Sequence, residues 1–350
     1  MQYIAFDAHK NYTLASVEDQ MGRVLQDTRV NHRRGAFCDF LAECEPGSPV
    51  AVEAMGSGYW IVDEIERAGM TPHLVHPRKA KLMLGAINKT DKLDVRGINR
   101  LQRTGTLPTV WIPTAQLRDQ RDLPRTRMVF TRHRTRLKNR VHATLAKYAV
   151  PTPDVSDLFG REGRRQLAQL LTHLPPHTRF ATELLLIQLD LVQAQIADLE
   201  QQMRQTFAAT DDLRLLETIP GIGFVVGIVV LLEVGDIQRF PNGEHLAAYA
   251  GLTPRVSASA GRIRFGRLRP DVNRYLKWAF IESANAISLN RRRWPTRHVT
   301  QVYARIEQRK GHDKAIGAVA RHLAEATYWI LHKHEPYREP HSRPVPSTKA

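Results

Sequence analysis

Four acidic residues, distant along the chain, occupy settings from which their carboxylates can meet. Asp7 and Glu53 each follow a short apolar run that predicts a strand, so both stand at strand ends. Asp91 and Asp94 are three residues apart at the start of a helical pattern, which places them on one face of a helix. A cluster of four carboxylates repels itself unless cations fill it.

Oxygen ligands of this kind suit Mg²⁺, a hard cation that also binds substrate phosphates. Two such ions can stabilise both the attacking and the leaving oxygen of a phosphoryl transfer. The four acids therefore predict a Mg²⁺-dependent enzyme that acts on nucleic-acid backbones.

The overall charge agrees with a polyanionic substrate. The 350 residues include 51 Lys and Arg against 35 Asp and Glu, which gives a net charge of +16. A surplus of this size attracts nucleic acid, because each phosphate that is neutralised releases counterions.

Composition disfavours several other classes of protein. No run of about 18 apolar residues without charges occurs, so no membrane-spanning segment is expected. The chain enters a strand pattern directly, without a leader-like segment. Its two cysteines, Cys38 and Cys44, fit a reduced cytoplasm and exclude a disulfide framework or a cysteine-based zinc site.

Residues 1–110 are predicted to form an α/β domain that brings the strand-end acids together. The hydrophobic patterns predict strands at 3–7, 12–17, 24–30, 50–53 and 73–76, with helices at 36–44, 59–68 and from 77. Three strands, a helix, a strand, a helix and a strand is the order of a ribonuclease-H-like domain. Folds of that kind place acids at the ends of adjacent central strands.

A basic helix opens the next segment, 111–210, which we predict to be helical with a coiled coil. Residues 123–147 include no acid, and Arg132, Arg136 and Arg140 recur at i, i+4 and i+8 along one stripe. The alternative is a merely solvated face, but such faces usually mix charges of both signs. We therefore predict that this stripe contacts nucleic acid.

The same segment contains a long helix, predicted at 181–205, with apolar residues at spacings of three and four over about three heptads. These residues are Leu185, Leu189, Val192, Ile196, Leu199 and Met203. The pattern fits a coiled coil between molecules and packing inside one domain equally well.

Residues 211–334 are predicted to form a mainly helical C-terminal domain, and 335–350 a disordered, proline-rich tail. Gly221 and Gly223 precede the apolar helix 224–234 in a pattern similar to a helix-hairpin-helix loop, where backbone N–H groups approach a phosphate. A purely structural tight turn is the alternative.

A serine-containing segment of that domain is the second place where chemistry is expected. Ser259 stands among small residues that allow close backbone approach, with Arg255, Arg262 and Arg264 around it. Such a serine could be a nucleophile on a phosphodiester, or it could hydrogen-bond a phosphate in a basic loop. The residues alone favour the second interpretation.

Several motifs, in order along almost the whole chain, resemble the transposases of the insertion-sequence "one-ten" family, which are DEDD recombinases guided by a bridge RNA. The four acids resemble the acids of that family, and 134–140 resembles its basic helical segment. Segments 219–223, 247–254 and 273–276 resemble its C-terminal domain. Each motif alone is weak, but their order and spacing together are specific.

The resemblance implies a RuvC-like N-terminal domain that binds Mg²⁺ through the four acids. It also implies a serine nucleophile at Ser259, with Ser257 as the alternative. The family commonly has Ser-Gly in that segment, whereas Ala260 separates the serine from the glycine here. Val95 stands where the family often has alanine, a conservative departure that does not threaten metal binding.

Partners are implied by the same resemblance. They are DNA, a guide RNA and further copies of the chain in a dimer or tetramer, because the acids and the serine are thought to meet between protomers. The expected location is the bacterial cytoplasm, at the nucleoid and away from membranes. Two alternatives stay open, a RuvC-like nuclease that uses water and a non-catalytic nucleic-acid-binding protein. The intact acids argue against the second.

Overall fold

The computed structural model describes residues 1–53, 58–85, 91–259, 262–268 and 272–340, without the side chains of 91–93, 256–259, 262, 263, 265 and 267. The chain divides into two compact units, Met1–Ala115 and Gln116–Ala350. The predicted middle segment therefore belongs almost entirely to the second unit.

One five-stranded sheet with helices on both faces forms the first unit. Its elements are β1 (Tyr3–Ala8), β2 (Tyr12–Glu18), β3 (Val24–Asn31), α1 (Ala36–Leu41), β4 (Pro49–Glu53), α2 (Tyr59–Arg67), β5 (Thr71–Val75), α3 (Pro77–Leu84) and α4 (Asp91–Arg103). The strands lie in the order β3-β2-β1-β4-β5. β2 is antiparallel to β1 and β3, and β4 is parallel to β1 and β5. The predicted α/β domain, with its strands and helices, is confirmed to within a few residues.

Successive residues of β1 and β4 face two different apolar cores. Ile4 and Phe6 pack on one face of the sheet against α1 and α2. Ala5 and Ala51 belong to the core on the other face, which α3 and α4 cover. Because both faces of the central strands are covered, residues 50–52 form an unbroken apolar run that is fully buried.

Two buried amides fix α4 against the sheet. Asn99 Nδ2 donates a hydrogen bond of 3.0 Å to the carbonyl oxygen of Ser16. Gln102 Nε2 donates to the carbonyl oxygens of Ile4 and Pro49, each at 3.1 Å. These bonds set the position of α4 along the central strands.

Within its described residues, the second unit is helical apart from one β-hairpin. Its elements are α5 (Ala115–Lys147), α6 (Arg161–Leu170), α7 (Pro176–Phe207), α8 (Asp211–Glu217), α9 (Phe224–Val234), α10 (Gly243–Tyr249), β6 (Pro254–Ser259), β7 (Arg262–Leu268), α11 (Arg274–Leu289), α12 (His298–Lys310) and α13 (His312–Lys333). Helices α8 to α13 share one large core. The end of α5 packs with α6 and α7 around a separate core.

Most of the apolar residues in the heptad pattern of α7 pack inside the chain. Four of its six apolar residues are buried in the second unit: Leu189, Val192, Ile196 and Met203. By length and composition alone, α7 is also apolar enough to cross a membrane, although no such segment was expected from the sequence. Core helices of soluble proteins share that property, and Glu200 of α7 forms an ion pair with Arg127 of α5.

The serine segment is a hairpin, so its description as a loop was wrong. β6 and β7 are antiparallel and are separated only by residues 260 and 261, which lie outside the described residues. Val256 and Ala258 alternate with polar neighbours, a period of two that is typical of a strand. The small residues of the segment were interpreted as allowing close approach of the backbone, and the alternation was missed.

Contacts continue into the segment predicted to be a disordered tail. The backbone N–H of Tyr337 donates a hydrogen bond of 2.8 Å to Thr218 Oγ1. The Tyr337 ring packs against the core of the second unit. Residues 341–350 lie outside the described residues.

Candidate active site

Asp7 and Glu53 end neighbouring strands of the sheet. β1 and β4 are parallel, and Phe6 pairs with Val52 in their register. Asp7 and Glu53 each stand one residue further along. Both lie two residues after an alanine of the α4-facing core, so they stand on the α4 face of the sheet.

Asp94 reaches the same end of the sheet because of the way α4 is anchored. Gln102 fixes the end of α4 at the starts of β1 and β4. Asp94 comes two turns earlier, about 12 Å along the helix axis. The strand ends lie about 10 Å from the strand starts, a similar distance. Glu53 and Asp94 accordingly line one cavity of about 380 Å³.

Cations from α3 line this cavity together with the two carboxylates. They are Arg78 and Lys81, both exposed. A cavity that combines carboxylates with cations can hold a divalent cation and a phosphate side by side. These cations were not predicted as site residues, although the basic run that follows β5 was a sequence signal for them.

Asp7 and Asp91 are the other two predicted acids, and neither of them lines the cavity of Glu53 and Asp94 among its described residues. Asp7 Oδ2 lies 3.5 Å from His9 Nε2, and the Asp7 side chain is 13% exposed. Asp91 begins α4, but its side chain lies outside the described residues. Among the described residues, no three His, Cys, Asp or Glu side chains are close enough to hold a metal ion. The donors at this edge of the sheet are nonetheless carboxylate oxygens, the kind that a hard divalent cation needs.

The predicted nucleophile ends the first strand of the hairpin. Ser259 pairs with Arg262 across the hairpin, and Ser257 pairs with Arg264. Arg255 and Arg264 are exposed, whereas the side chains of both serines and of Arg262 lie outside the described residues. The acids belong to the first unit and the hairpin belongs to the second.

A buried glutamate ties together the elements that flank the hairpin. Glu233 is 1% exposed and accepts two hydrogen bonds from the Arg125 guanidinium, at 2.7 and 3.0 Å. It also accepts a bond of 2.8 Å from Asn273 Nδ2. Asn273 follows the hairpin, and its backbone N–H donates to the carbonyl oxygen of Tyr249, which precedes the hairpin. The sequence signal was a single acid in the apolar helix α9, and it was missed.

The basic stripe of α5 is exposed, and its contact with nucleic acid stays a prediction. Arg132, Arg136 and Arg140 all face solvent, and within the described part of the chain none of them pairs with a carboxylate. Other cations of α5 are paired with acids of other elements. Arg127 pairs with Glu200 at 2.5 Å, and Lys138 pairs with an aspartate after α5 at 3.4 Å. The three exposed arginines therefore remain for an external anion.

The two glycines before α9 have different roles. Gly221 has a φ of +82°, and a Cβ there would lie 2.4 Å from the carbonyl oxygen of Ser283, so only glycine fits. Gly223 is exposed and stands at the N-terminus of α9. Packing accounts for Gly221, and a phosphate contact at either glycine stays a prediction.

Comparison with known proteins agrees with both units. Residues 213–300 match the family model described as "Transposase IS116/IS110/IS902 family". Residues 4–150 match a second model, described as a transposase and named for the DEDD domain of IS110. Together these two segments span about two thirds of the chain.

Three curated relatives are similar over most of their length. The transposase for insertion sequence element IS1111A of Coxiella burnetii is 25% identical, over 91% of this chain and 86% of the relative. A probable family 20 transposase of Pseudomonas aeruginosa is 26% identical, over 73% and 75%. The transposase for IS1328 of Yersinia enterocolitica is 25% identical, over 74% and 75%. The chain therefore contains transposase domains of the IS116/IS110/IS902 family, and these curated relatives are transposases, enzymes of DNA transposition.

Proposed function

We propose that this transposase cuts and rejoins DNA at a Mg²⁺ site formed by Asp7, Glu53, Asp91 and Asp94, with Ser259 as the nucleophile. The observation that carries the proposal is the cavity shared by Glu53 and Asp94 at the ends of the central strands. Bound Mg²⁺ supplies positive charge that activates an oxygen nucleophile and stabilises the transferring phosphoryl group.

An RNase H-like, RuvC-like assignment of the first unit is part of the proposal. The strand order β3-β2-β1-β4-β5 supports it, with three antiparallel strands followed by two parallel ones. Such a sheet carries its acids at the ends of the first and fourth strands, where Asp7 and Glu53 stand.

Different residues of the chain bind the cation, bind the phosphate and attack the phosphorus. Glu53 and Asp94 would hold the cation, and Arg78 and Lys81, which line the same cavity, would bind the oxygens of the phosphate. The Ser259 hydroxyl gives up its proton to solvent, and its oxygen forms a bond to phosphorus as the bond from phosphorus to the leaving deoxyribose oxygen breaks. That leaving oxygen takes up a proton from solvent and becomes a free hydroxyl. Arginines of the hairpin, such as Arg264, offset the charge that develops on the phosphate.

Nucleic-acid partners follow from the charge of the second unit. The exposed stripe Arg132, Arg136 and Arg140 supports contact with DNA or with a guide RNA. Gly221 and Gly223, with the hairpin arginines Arg255, Arg262 and Arg264, extend the proposed nucleic-acid contacts. The site of action is the bacterial cytoplasm, where the nucleoid lies.

A homo-oligomer is also proposed, and an exposed apolar face of α7 supports it. Four large apolar residues of α7 are exposed at spacings of four, three and four: Phe180, Leu184, Ile187 and Leu191. These are not the residues that pack inside the chain. A stripe with coiled-coil spacing fits the same stripe of a second copy, in a dimer or as one contact of a tetramer.

A strand-transfer assay in Mg²⁺ tests the proposal. Wild type is compared with Glu53→Gln, Asp94→Asn and Ser259→Ala on DNA that carries the ends of the element. We expect all three variants to lose strand transfer while keeping the circular dichroism of the wild type. Cleavage by Ser259→Ala at the wild-type rate would instead favour water as the nucleophile.

A further inference from the structure

A second groove of the first unit also reaches Asp94. Its volume is about 510 Å³, and Asp94 lines both this groove and the cavity that contains Glu53. Its cations are Arg96, Arg100 and Arg103, which recur at i, i+4 and i+7 and so follow one stripe of α4. A line of arginines thus begins beside a proposed metal ligand.

Carboxylates of the sheet hold two of these three arginines in place. Arg96 Nη2 lies 2.6 Å from Asp27 Oδ2, and Arg103 Nε lies 4.0 Å from Glu18 Oε2. Side chains held before a ligand arrives lose less entropy when it binds. Arg100 is exposed, and it pairs with no carboxylate in the part of the chain that the structure describes.

Two glycines of the groove wall leave room that larger residues would fill. Gly22 has a φ of +81°, and a Cβ there would lie 2.5 Å from Arg103 Nη2. A Cβ at Gly97 would lie 2.9 Å from Leu84 Cδ2, because α3 and α4 approach closely at that point. Both glycines line the groove, so its shape depends on the side chains that they lack.

We propose that this groove binds phosphates of the same DNA strand that reacts at Glu53 and Asp94. The location of the reacting phosphate rests on the proposed function. The stripe from Arg96 to Arg103 covers about 10 Å of helix axis. Phosphates of one strand advance about 3.4 Å per nucleotide along a duplex. The stripe therefore covers about three nucleotides next to the reacting phosphate.

Arg100 is the residue that tests the groove, because among the described residues no carboxylate pairs with it. The probe is a short fluorescein-labelled DNA duplex of arbitrary sequence, titrated by anisotropy into the full chain in EDTA at several salt concentrations. We expect Arg100→Gln to bind about tenfold more weakly at low salt, the size of one charged hydrogen bond. The slope of log K against log salt becomes shallower by about one.

Two control variants separate a phosphate contact from a general loss of charge. Arg100→Lys keeps the charge, and we expect it to retain most of the affinity. Arg67→Gln removes an exposed arginine from α2, which packs on the other face of the sheet, and should leave the slope unchanged. Equal losses in Arg100→Gln and Arg67→Gln would overturn the proposal, as would a loss confined to an RNA of the same sequence.

The proposal that the groove binds DNA and the proposed function can be contradicted separately, because one is tested by DNA binding and the other by strand transfer. Binding in EDTA does not require chemistry at the acids. If Arg100→Gln binds like wild type while Asp94→Asn loses strand transfer, the groove is wrong and the proposed function stands. If Arg100→Gln binds weakly while Asp94→Asn still transfers strands, the groove stands and the proposed function is wrong.

Discussion

The side-chain amide of Gln102 donates a hydrogen bond of 3.1 Å to the carbonyl oxygen of Ile4, at the opposite end of β1 from Asp7. A second bond from the same nitrogen reaches Pro49, the first residue of β4. One buried amide therefore fixes the distance between the start of the central strands and the helix that carries Asp94. Glu53 and Asp94 line one cavity at one end of the sheet because α4 is held at the other end.

Replacement of Gln102 with leucine should lower the free energy of unfolding of the first unit by about 1–3 kcal/mol. One buried and one partly buried carbonyl oxygen lose a donor in this variant, and that is the usual cost of such a loss. Urea denaturation followed by circular dichroism measures the change, with the exposed Gln201→Leu as the control. A midpoint equal to that of the wild type would show that these hydrogen bonds do not hold α4.

The stripe Arg132, Arg136 and Arg140 should carry a salt-dependent share of nucleic-acid binding. Replacement of all three with glutamine should reduce the slope of log K against log salt by about three, one for each lost phosphate contact. Replacement of the exposed residues Arg305, Arg309 and Lys310 of α12 removes the same charge and serves as the control. Similar slopes in the two triple variants would mean that only net charge matters.

Glu18 should make the stability of the first unit depend on pH. Burial raises the pKa of this carboxyl above its ordinary value of 4.5, against the opposing effect of Arg103. The folded state therefore keeps a proton that the unfolded state releases, so the free energy of unfolding falls as pH rises from 4.5 through the raised pKa.

Urea denaturation at a series of pH values tests this expectation with Glu18→Gln. That variant should lose less stability than the wild type as pH rises through the same range, because it has no proton to release at this position. Glu43→Gln, at an exposed position of the same unit, controls for the loss of a negative charge. Parallel curves for Glu18→Gln and wild type would contradict the expectation.

The exposed stripe of α7 should mediate association between copies. Leu184→Glu with Ile187→Glu places charges in the centre of the stripe, and we expect sedimentation velocity to report a smaller species than for the wild type. The exposed residues Gln201 and Gln205 of the same helix, both changed to glutamate, are the matched control. An unchanged sedimentation coefficient in the stripe variant would place the contact between copies elsewhere.

Regular patterns made the first unit predictable from its sequence. Apolar runs that end in Asp7 and Glu53 gave both the strands and the edge of the sheet where the acids stand. The position of α4 could not be predicted, because it depends on hydrogen bonds between Gln102 and residues far away in the sequence. The cations of α3 were missed for the same reason, since only the folded chain places Lys81 in the same cavity as Asp94.

Prediction was poorer in the second unit, where the same local signals fit more than one structure. The alternation around Ser259 was short and mixed with small residues, so a hairpin was taken for a loop. The apolar spacing of α7 could not separate packing within the chain from packing between chains, and the structure shows both a buried and an exposed stripe. Glu233 gave almost no signal, because its partners Arg125 and Asn273 lie on other elements.

The most direct test of the central claim is peptide mapping of the covalent protein–DNA adduct by mass spectrometry. The wild-type protein is trapped on DNA in Mg²⁺, digested and sequenced, with Asp94→Asn treated in parallel. We predict a phosphodiester link at Ser259 in the wild type and no adduct in Asp94→Asn or in EDTA. A link at Ser257, a link at no serine, or an adduct that forms equally well in Asp94→Asn would contradict it.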